Sequence, residues 1–167
     1  MKKQVFSLLV NNNTGLLSRV AGLFSRRGYN IDSITSGTTM DKSRTRITVV
    51  ATGDVQILSQ IEKQLAKLED VIDIKILKDG ESVCRELIML KVKANAAQRA
   101  EIVAVADIFR AKIVDVETES LMLEMTGNLS KVEAFLNLMS GYEILELART
   151  GITGLSRGAD GVFDTEA

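Results

Sequence analysis

The chain has 167 residues, of which 46% are hydrophobic and 26% charged, with a formal net charge of −1; this is the make-up of an ordinary globular protein, long enough for one domain or two small ones. Histidine is absent and Cys84 is the only cysteine, which excludes Ser-His-Asp and Cys-His catalysis, a multi-thiolate metal site and an intrachain disulfide. The charge balance offers no global attraction for nucleic acid, and no apolar run approaches the roughly 20 residues of a membrane span.

Gln4–Asn11 places Phe6, Leu8 and Val10 on one face and predicts a strand. Asn12-Asn13-Thr14-Gly15-Leu16 reads as a strand end and a glycine turn that opens a helix over Gly15–Arg27, where Leu16, Val20, Leu23 and Phe24 fall at helical spacing. Arg26 and Arg27 suit the negative end of its dipole, and Gly28 suits its stop. Asn30–Thr39 and Arg44–Thr52 predict two strands joined by the polar turn Met40–Ser43. A second helix follows over Val55–Leu68, with Leu58, Ile61, Leu65 and Leu68 in one stripe. Val71–Leu77 is then a strand in which Ile72, Ile74 and Ile76 alternate with Asp73 and Lys75. The order is βαββαβ.

After Lys78-Asp79-Gly80-Glu81-Ser82 the order repeats, with little sequence identity between the halves. Arg85–Lys93 is a strand with Ile88, Leu90 and Val92 on one face, and Ala96–Phe109 is a helix. Lys112–Glu117 and Ser120–Thr126 are strands. Leu129–Met139 is a helix with Val132, Leu136 and Met139 on one side, and Tyr142–Arg149 is the last strand. The fold class is therefore α+β: two ferredoxin-like βαββαβ domains, each an antiparallel four-stranded sheet with two helices on one face. The expected division is 1–78, a linker at 79–82, a second domain over 83–158, and a flexible tail over 159–167. Each sheet leaves its other face and an edge uncovered. Val5 and Leu9 point to that face in the first domain, so a second copy is expected to cover it and make a homodimer.

The glycine turn carries the functional reading. A helix opening presents backbone N–H groups without intrahelical partners, which can hold a small anion such as a carboxylate. Asn12 precedes the helix and Asn30 follows it, so both are expected at one crevice. Donors and amides without a nucleophile or strong base suit binding better than chemistry. Helix capping alone is an adequate alternative account of such a turn. Carboxylates and lysines remain elsewhere, so catalysis is not excluded by composition. Cys84 is expected to be a small apolar filler. Arg19 and Arg26 are read as solvated helix charges or partner contacts. Met1-Lys2-Lys3-Gln4 leads into a strand without the apolar core of a secretory signal, and the expected location is the cytoplasm.

Asn12–Val20, followed by Leu23-Phe24-Ser25-Arg26-Arg27-Gly28-Tyr29-Asn30-Ile31, closely resembles the opening of the small regulatory subunits of acetolactate synthase, also called acetohydroxyacid synthase. Ile61–Leu68 resembles that family's second helix, and Arg85-Glu86-Leu87 opens its second domain similarly. Ile108–Val116 is similar to its central part, and Ala148–Gly158 to its terminal signature. The resemblance spans nearly the whole chain.

It implies an N-terminal ACT domain that binds the effector and a C-terminal ACT-like domain. It implies a noncatalytic regulatory subunit of branched-chain amino acid biosynthesis, which binds a separate catalytic subunit, raises its activity and makes it sensitive to feedback by valine. Thiamine diphosphate, FAD and a divalent metal belong to that catalytic partner, and none is expected on this chain. The family's effector sites lie across a dimer interface. Asn12, Gly15 and Asn30 match its regulatory pattern, with Gly15 and Leu16 N–H groups on the valine carboxylate, Asn12 and Asn30 on the ammonium, and Leu16 or Ile31 beside the isopropyl group. A free-standing amino-acid sensor and a small enzyme on the same scaffold are the competing classes.

Overall fold

The computed structural model describes residues 1–162. Residues 1–83 together with the chain from Ile152 onward make one compact unit, and Cys84–Gly151 make another.

In the first unit, β1 (Lys2–Asn11), β2 (Ile31–Thr38), β3 (Arg44–Gly53) and β4 (Val71–Leu77) form an antiparallel sheet in the order β2-β3-β1-β4. The helices α1 (Leu16–Arg27) and α2 (Val55–Ala66) pack on one face, as the βαββαβ order requires. Phe6, Leu8 and Val10 of β1 and Ile47 and Val49 of β3 bury against Val20, Leu23 and Phe24 of α1 and Leu58, Ile61 and Leu65 of α2. Full burial of such a side chain is worth roughly 1.5–3 kcal/mol, so this stripe-on-sheet match explains why the period-2 and period-3.6 segments settle where they do. Local chemistry fixes the ends. Asp54 caps α2 by accepting from the Ile57 N–H, and Gly28, in the left-handed region at φ 68°, closes α1 with its N–H on the Phe24 and Ser25 carbonyls.

One alternation differs from expectation. Val71, Ile74 and Ile76 pack on the core, whereas Ile72 is 43% exposed. The pairing of β1 with β4 shifts register between Leu9, opposite Asp73, and Val10, opposite Val71. The extra residue changes which face Ile72 meets.

The second unit repeats the plan with β5 (Ser82–Lys93), α3 (Ala96–Phe109), β6 (Lys112–Val116), β7 (Ser120–Gly127), α4 (Leu129–Met139) and β8 (Ile144–Arg149), sheet order β6-β7-β5-β8. Ile88, Leu90 and Val92 pair in register with Met125, Leu123 and Leu121, and this face is covered by Ile102, Ala106, Val132, Phe135 and Met139. Phe109 meets Phe135 edge to face at 5.4 Å between centroids. Asn95 and Gln98 form a reciprocal capping box at the start of α3. Cys84 is half-buried.

Two of the motif segments meet inside this unit. Arg149 makes a two-pronged ion pair with Glu86, whose side chain is 3% exposed, and Thr150 exchanges bonds with the Leu87 backbone. Arg85-Glu86-Leu87 and Ala148-Arg149-Thr150 are thus two sides of one strand pairing.

The terminal segment departs from the expected division. From Ile152 the chain returns to the first unit, where β9 (Thr153–Ser156) pairs with β5, whose first residues belong to that unit. Residues 152–158, expected in the second domain, therefore pack with the first. Within the expected tail, Asp160 pairs with Lys75, and Val162 is buried with its carbonyl on Arg46; residues 163–167 lie outside the described residues. The sheet face expected to await a second copy is thus met by this chain's own segment: Thr35, Arg46 and Lys75 on that face bond to Ile152, Val162 and Asp160.

Candidate functional site

The turn from β1 into α1 is held by bonds from three directions. The Asn11 N–H donates to the Asp70 carbonyl and the Asn12 N–H to the Ser43 carbonyl, both at 2.8 Å. The Asn12 side-chain amide reaches the Lys42 carbonyl at 3.3 Å. Asp70, 6% exposed, accepts from Arg19 Nε at 2.6 Å and from Asn13 Nδ2 at 2.8 Å, and Arg19 Nη1 donates to the Thr14 carbonyl at 3.1 Å. The bonds from Arg19 and then Asn13 hold the Asp70 carboxyl below the usual Asp value. Arg19, read from sequence as a solvated charge, is a positioning residue of this turn. Its partner lies 51 residues away, a distance at which local pattern gives no signal.

Gly15 stands at the N-cap with φ 80° and ψ 6°, and no side chain caps the helix. In place of a cap there is open backbone. The Leu16 N–H donates to the Asn13 carbonyl at 3.3 Å, while the N–H groups of Gly15, Leu17 and Ser18 meet no acceptor among the described residues. These donors sit at the positive end of the α1 dipole, with no acidic residue in the first turn to compete for them. A Cβ built on Gly15 would lie 3.1 Å from Arg19 Nη1. The arrangement can hold a small anion against the backbone. Among the described residues, no group of three or more acidic or cysteine side chains is placed to hold a metal ion.

The expected residues do not all meet in one chain. Leu16 is 5% exposed and its side chain packs in the core under α1. Asn30 is exposed, its amide 3.5 Å from Asp32 Oδ1, and Ile31 packs partly on the core at the start of β2. Ile31 pairs with Ala51 of β3, whereas Asn11 pairs with Arg44 at the other end of that strand. At about 3.4 Å per residue, the run from Arg44 to Ala51 separates the two places by roughly 24 Å. Asn12 and Gly15 thus lie at one end of α1, and Asn30 and Ile31 at the other. The single crevice expected for both asparagines does not form within one chain, because a helix that starts at one end of its sheet finishes at the opposite end.

The comparisons with known proteins match this architecture domain by domain. Residues 6–73 match the family model of the ACT domain of acetohydroxyacid synthase small subunits and their like, and residues 85–158 match that of the small subunit of acetolactate synthase. The chain is 47% identical over 156 residues to the probable acetolactate synthase small subunit of Methanothermobacter thermautotrophicus, covering 93% of each chain. It is 45% identical over 161 residues to the acetolactate synthase small subunit of Mycobacterium bovis, covering 96% of each. The crystal structure of the Thermotoga maritima acetolactate synthase small subunit superposes with a TM-score of 0.87 at 38% identity, covering 96% of this chain and 100% of that one.

Proposed function

This chain belongs to the family of acetolactate synthase small subunits, and on that premise we propose that it is a noncatalytic, valine-binding regulator of the catalytic subunit in the cytoplasm. It raises the activity of that subunit and makes it sensitive to feedback by valine. Thiamine diphosphate, FAD and the divalent metal belong to the catalytic chain. The observation that carries the valine reading is the opening of α1. Gly15 lies in the left-handed region, and among the described residues three backbone N–H groups have no acceptor beside the Arg19–Asp70–Asn13 clamp that fixes them.

The valine carboxylate sits on the Gly15, Leu17 and Ser18 N–H groups, and the ammonium is received by Asn12 of the same chain and Asn30 of a second copy. A two-fold arrangement supplies that second copy. β2 is an edge strand, and antiparallel pairing of β2 with its own symmetry mate sets Ile31 of one chain near the level of Thr38 in the other. Thr38 pairs with Thr45, which pairs with Val10. That is the end of the sheet where Asn12 and Gly15 stand, so Asn30 and Ile31 of one copy complete the site of the other. Leu16 contributes by anchoring the helix in the core, and Ile31 of the second copy borders the isopropyl group.

Feedback then follows from linkage. Valine binds one arrangement of the dimer more tightly, and that arrangement couples differently to the catalytic subunit. A tenfold effect requires only about 1.4 kcal/mol of differential binding. Calorimetric titration of the full chain with valine, alanine and leucine tests the site. Saturable binding that prefers valine and is lost in Gly15→Asp supports it; a Gly15→Asp chain that binds valine as the wild type does refutes it.

A further inference from the structure

The open face of the first sheet carries a row that runs across all four strands. Thr35 pairs with Thr48, Thr48 with Ser7, and Ser7 with Lys75. In the next row Arg46 lies opposite Leu9. Neither α1 nor α2 lies on this face, yet Ser7 and Thr48 are each 1% exposed and Leu9 is 2% exposed. The segment Ile152–Val162 meets this face. Buried Ile152 and Val162 anchor its two ends, and Leu155 between them is 58% exposed.

Among the described residues this segment is held by the pairing of β9 with β5 and by a set of further polar ties. Thr35 Oγ1 donates to the Ile152 carbonyl at 3.5 Å, the Arg157 N–H to the Glu81 carbonyl at 2.9 Å, and Arg46 Nη2 to the Val162 carbonyl at 2.6 Å. Lys75 pairs with the Asp160 carboxylate, whose side chain is 85% exposed. A solvated pair of this kind holds weakly. The segment is also rich in glycine, with Gly154, Gly158 and Gly161, so it gives up more chain entropy on ordering than other residues would.

The fit is incomplete. Thr48 Oγ1 and Ser33 Oγ, on this same face, are buried without a hydrogen-bond partner among the described residues. A cavity of about 240 Å³ remains between Ser7, Arg46, Lys75 and Leu77 of the sheet and the segment from Leu155 to Val162. The face therefore has bonding capacity that its present cover leaves unused, which is unusual for buried hydroxyls.

We propose that Ile152–Val162 is a releasable strap, and that the sheet face beneath it docks an extended, acidic segment of a partner protein. The chemistry of the occupant is set by what the strap already offers there: a carboxylate on Lys75 and a backbone carbonyl on Arg46, presented by extended chain. A partner segment with the same groups takes both cations as the strap lifts, and its side chains reach the hydroxyls of Thr48 and Ser33. Strap and partner exclude one another, so whatever tightens the strap opposes docking. Asp160 and Val162 lie beyond residue 158, where the match to the family model ends. This inference does not depend on the effector site.

The test uses the full chain and a labelled glutamate-rich decapeptide, with its glutamine counterpart at equal ionic strength as control. Strap opening is read from hydrogen exchange of the Arg157 amide, and docking from peptide anisotropy. Asp160→Asn removes one tie and leaves both cations. It raises Arg157 exchange roughly two- to fivefold, the range expected for an exposed ion pair, and tightens the acidic peptide by a similar factor. Lys75→Gln also speeds exchange but weakens the peptide. Unchanged exchange in Asp160→Asn, equal binding of the peptide to wild type and Lys75→Gln, or no preference over the glutamine control overturns the proposal.

Discussion

Gly15 provides a perturbation whose size follows from one dihedral angle. At φ 80° a side chain suffers the left-handed penalty of roughly 1–2 kcal/mol. The added Cβ of Gly15→Ala also meets Arg19 Nη1 at 3.1 Å. That contact is the far end of a flexible side chain and yields by a few tenths of an ångström, so the backbone penalty dominates. The first unit should lose about 1–2 kcal/mol, equivalent to a factor of 5–30 in its opening equilibrium. Hydrogen exchange at the buried Leu8 position of β1 reads this directly. Asparagine tolerates the left-handed region better than alanine, so Gly15→Asn should cost less stability while placing its amide over the N–H groups proposed to hold the carboxylate. The two variants therefore separate conformation from access: alanine speeds Leu8 exchange more, and asparagine weakens valine binding more per unit of stability lost. Wild-type exchange in Gly15→Ala would refute the strain argument. Wild-type valine affinity in Gly15→Asn would refute the placement of the carboxylate.

Three further outcomes follow from the same contacts. Asp70 has its carboxyl held low by Arg19 and Asn13, so its contribution to stability is full above the ordinary Asp value near 3.8 and is lost as pH falls through the lower folded value. Wild type should accordingly exceed Asp70→Asn in stability at pH 7, with the gap closing in acid unfolding titrations below about pH 4; a gap independent of pH contradicts this. Arg149→Met leaves Glu86 nearly buried without its cation and should cost about 1–3 kcal/mol, read from exchange of β5 amides; an unaffected β5 contradicts it. Ile74→Ala, which removes a core contact, should destabilise by about 1–3 kcal/mol, whereas Ile72→Ala at an exposed position should stay within about 0.5 kcal/mol, and equal effects in denaturant unfolding would refute the register shift in β4.

The parts of the fold that were legible in sequence are those written in short-range periodicity. The α1 stripe of Leu16, Val20, Leu23 and Phe24 and the β5 alternation of Ile88, Leu90 and Val92 each place one face of an element on a core. That information is local, and it was enough for two βαββαβ units. The position of Ile72 was not legible, because a register shift is set by how β4 meets β1 rather than by β4 itself. Nor was the return of the chain after Ile152, whose ties to Thr35, Arg46 and Lys75 span 117, 116 and 85 residues. The proposed effector site was legible in part. Gly15 declares a left-handed turn, but Asn12 and Asn30 cannot share a crevice when a 12-residue helix of roughly 18 Å stands between them. The resemblance implies sites shared by two copies, and the proposed site takes Asn30 from a second copy because one chain holds that residue at the far end of α1.

The central claim, that this chain is the valine-responsive regulator of an acetolactate synthase catalytic subunit, is tested most directly by reconstitution. The purified catalytic subunit, with thiamine diphosphate, FAD and divalent metal, is assayed for acetolactate formation with and without this chain across a valine titration. The chain is expected to raise the rate, and valine to lower it again only when the chain is present, with the response lost in Gly15→Asp while activation remains. A catalytic subunit whose rate and valine response are unchanged by saturating amounts of the chain would contradict it.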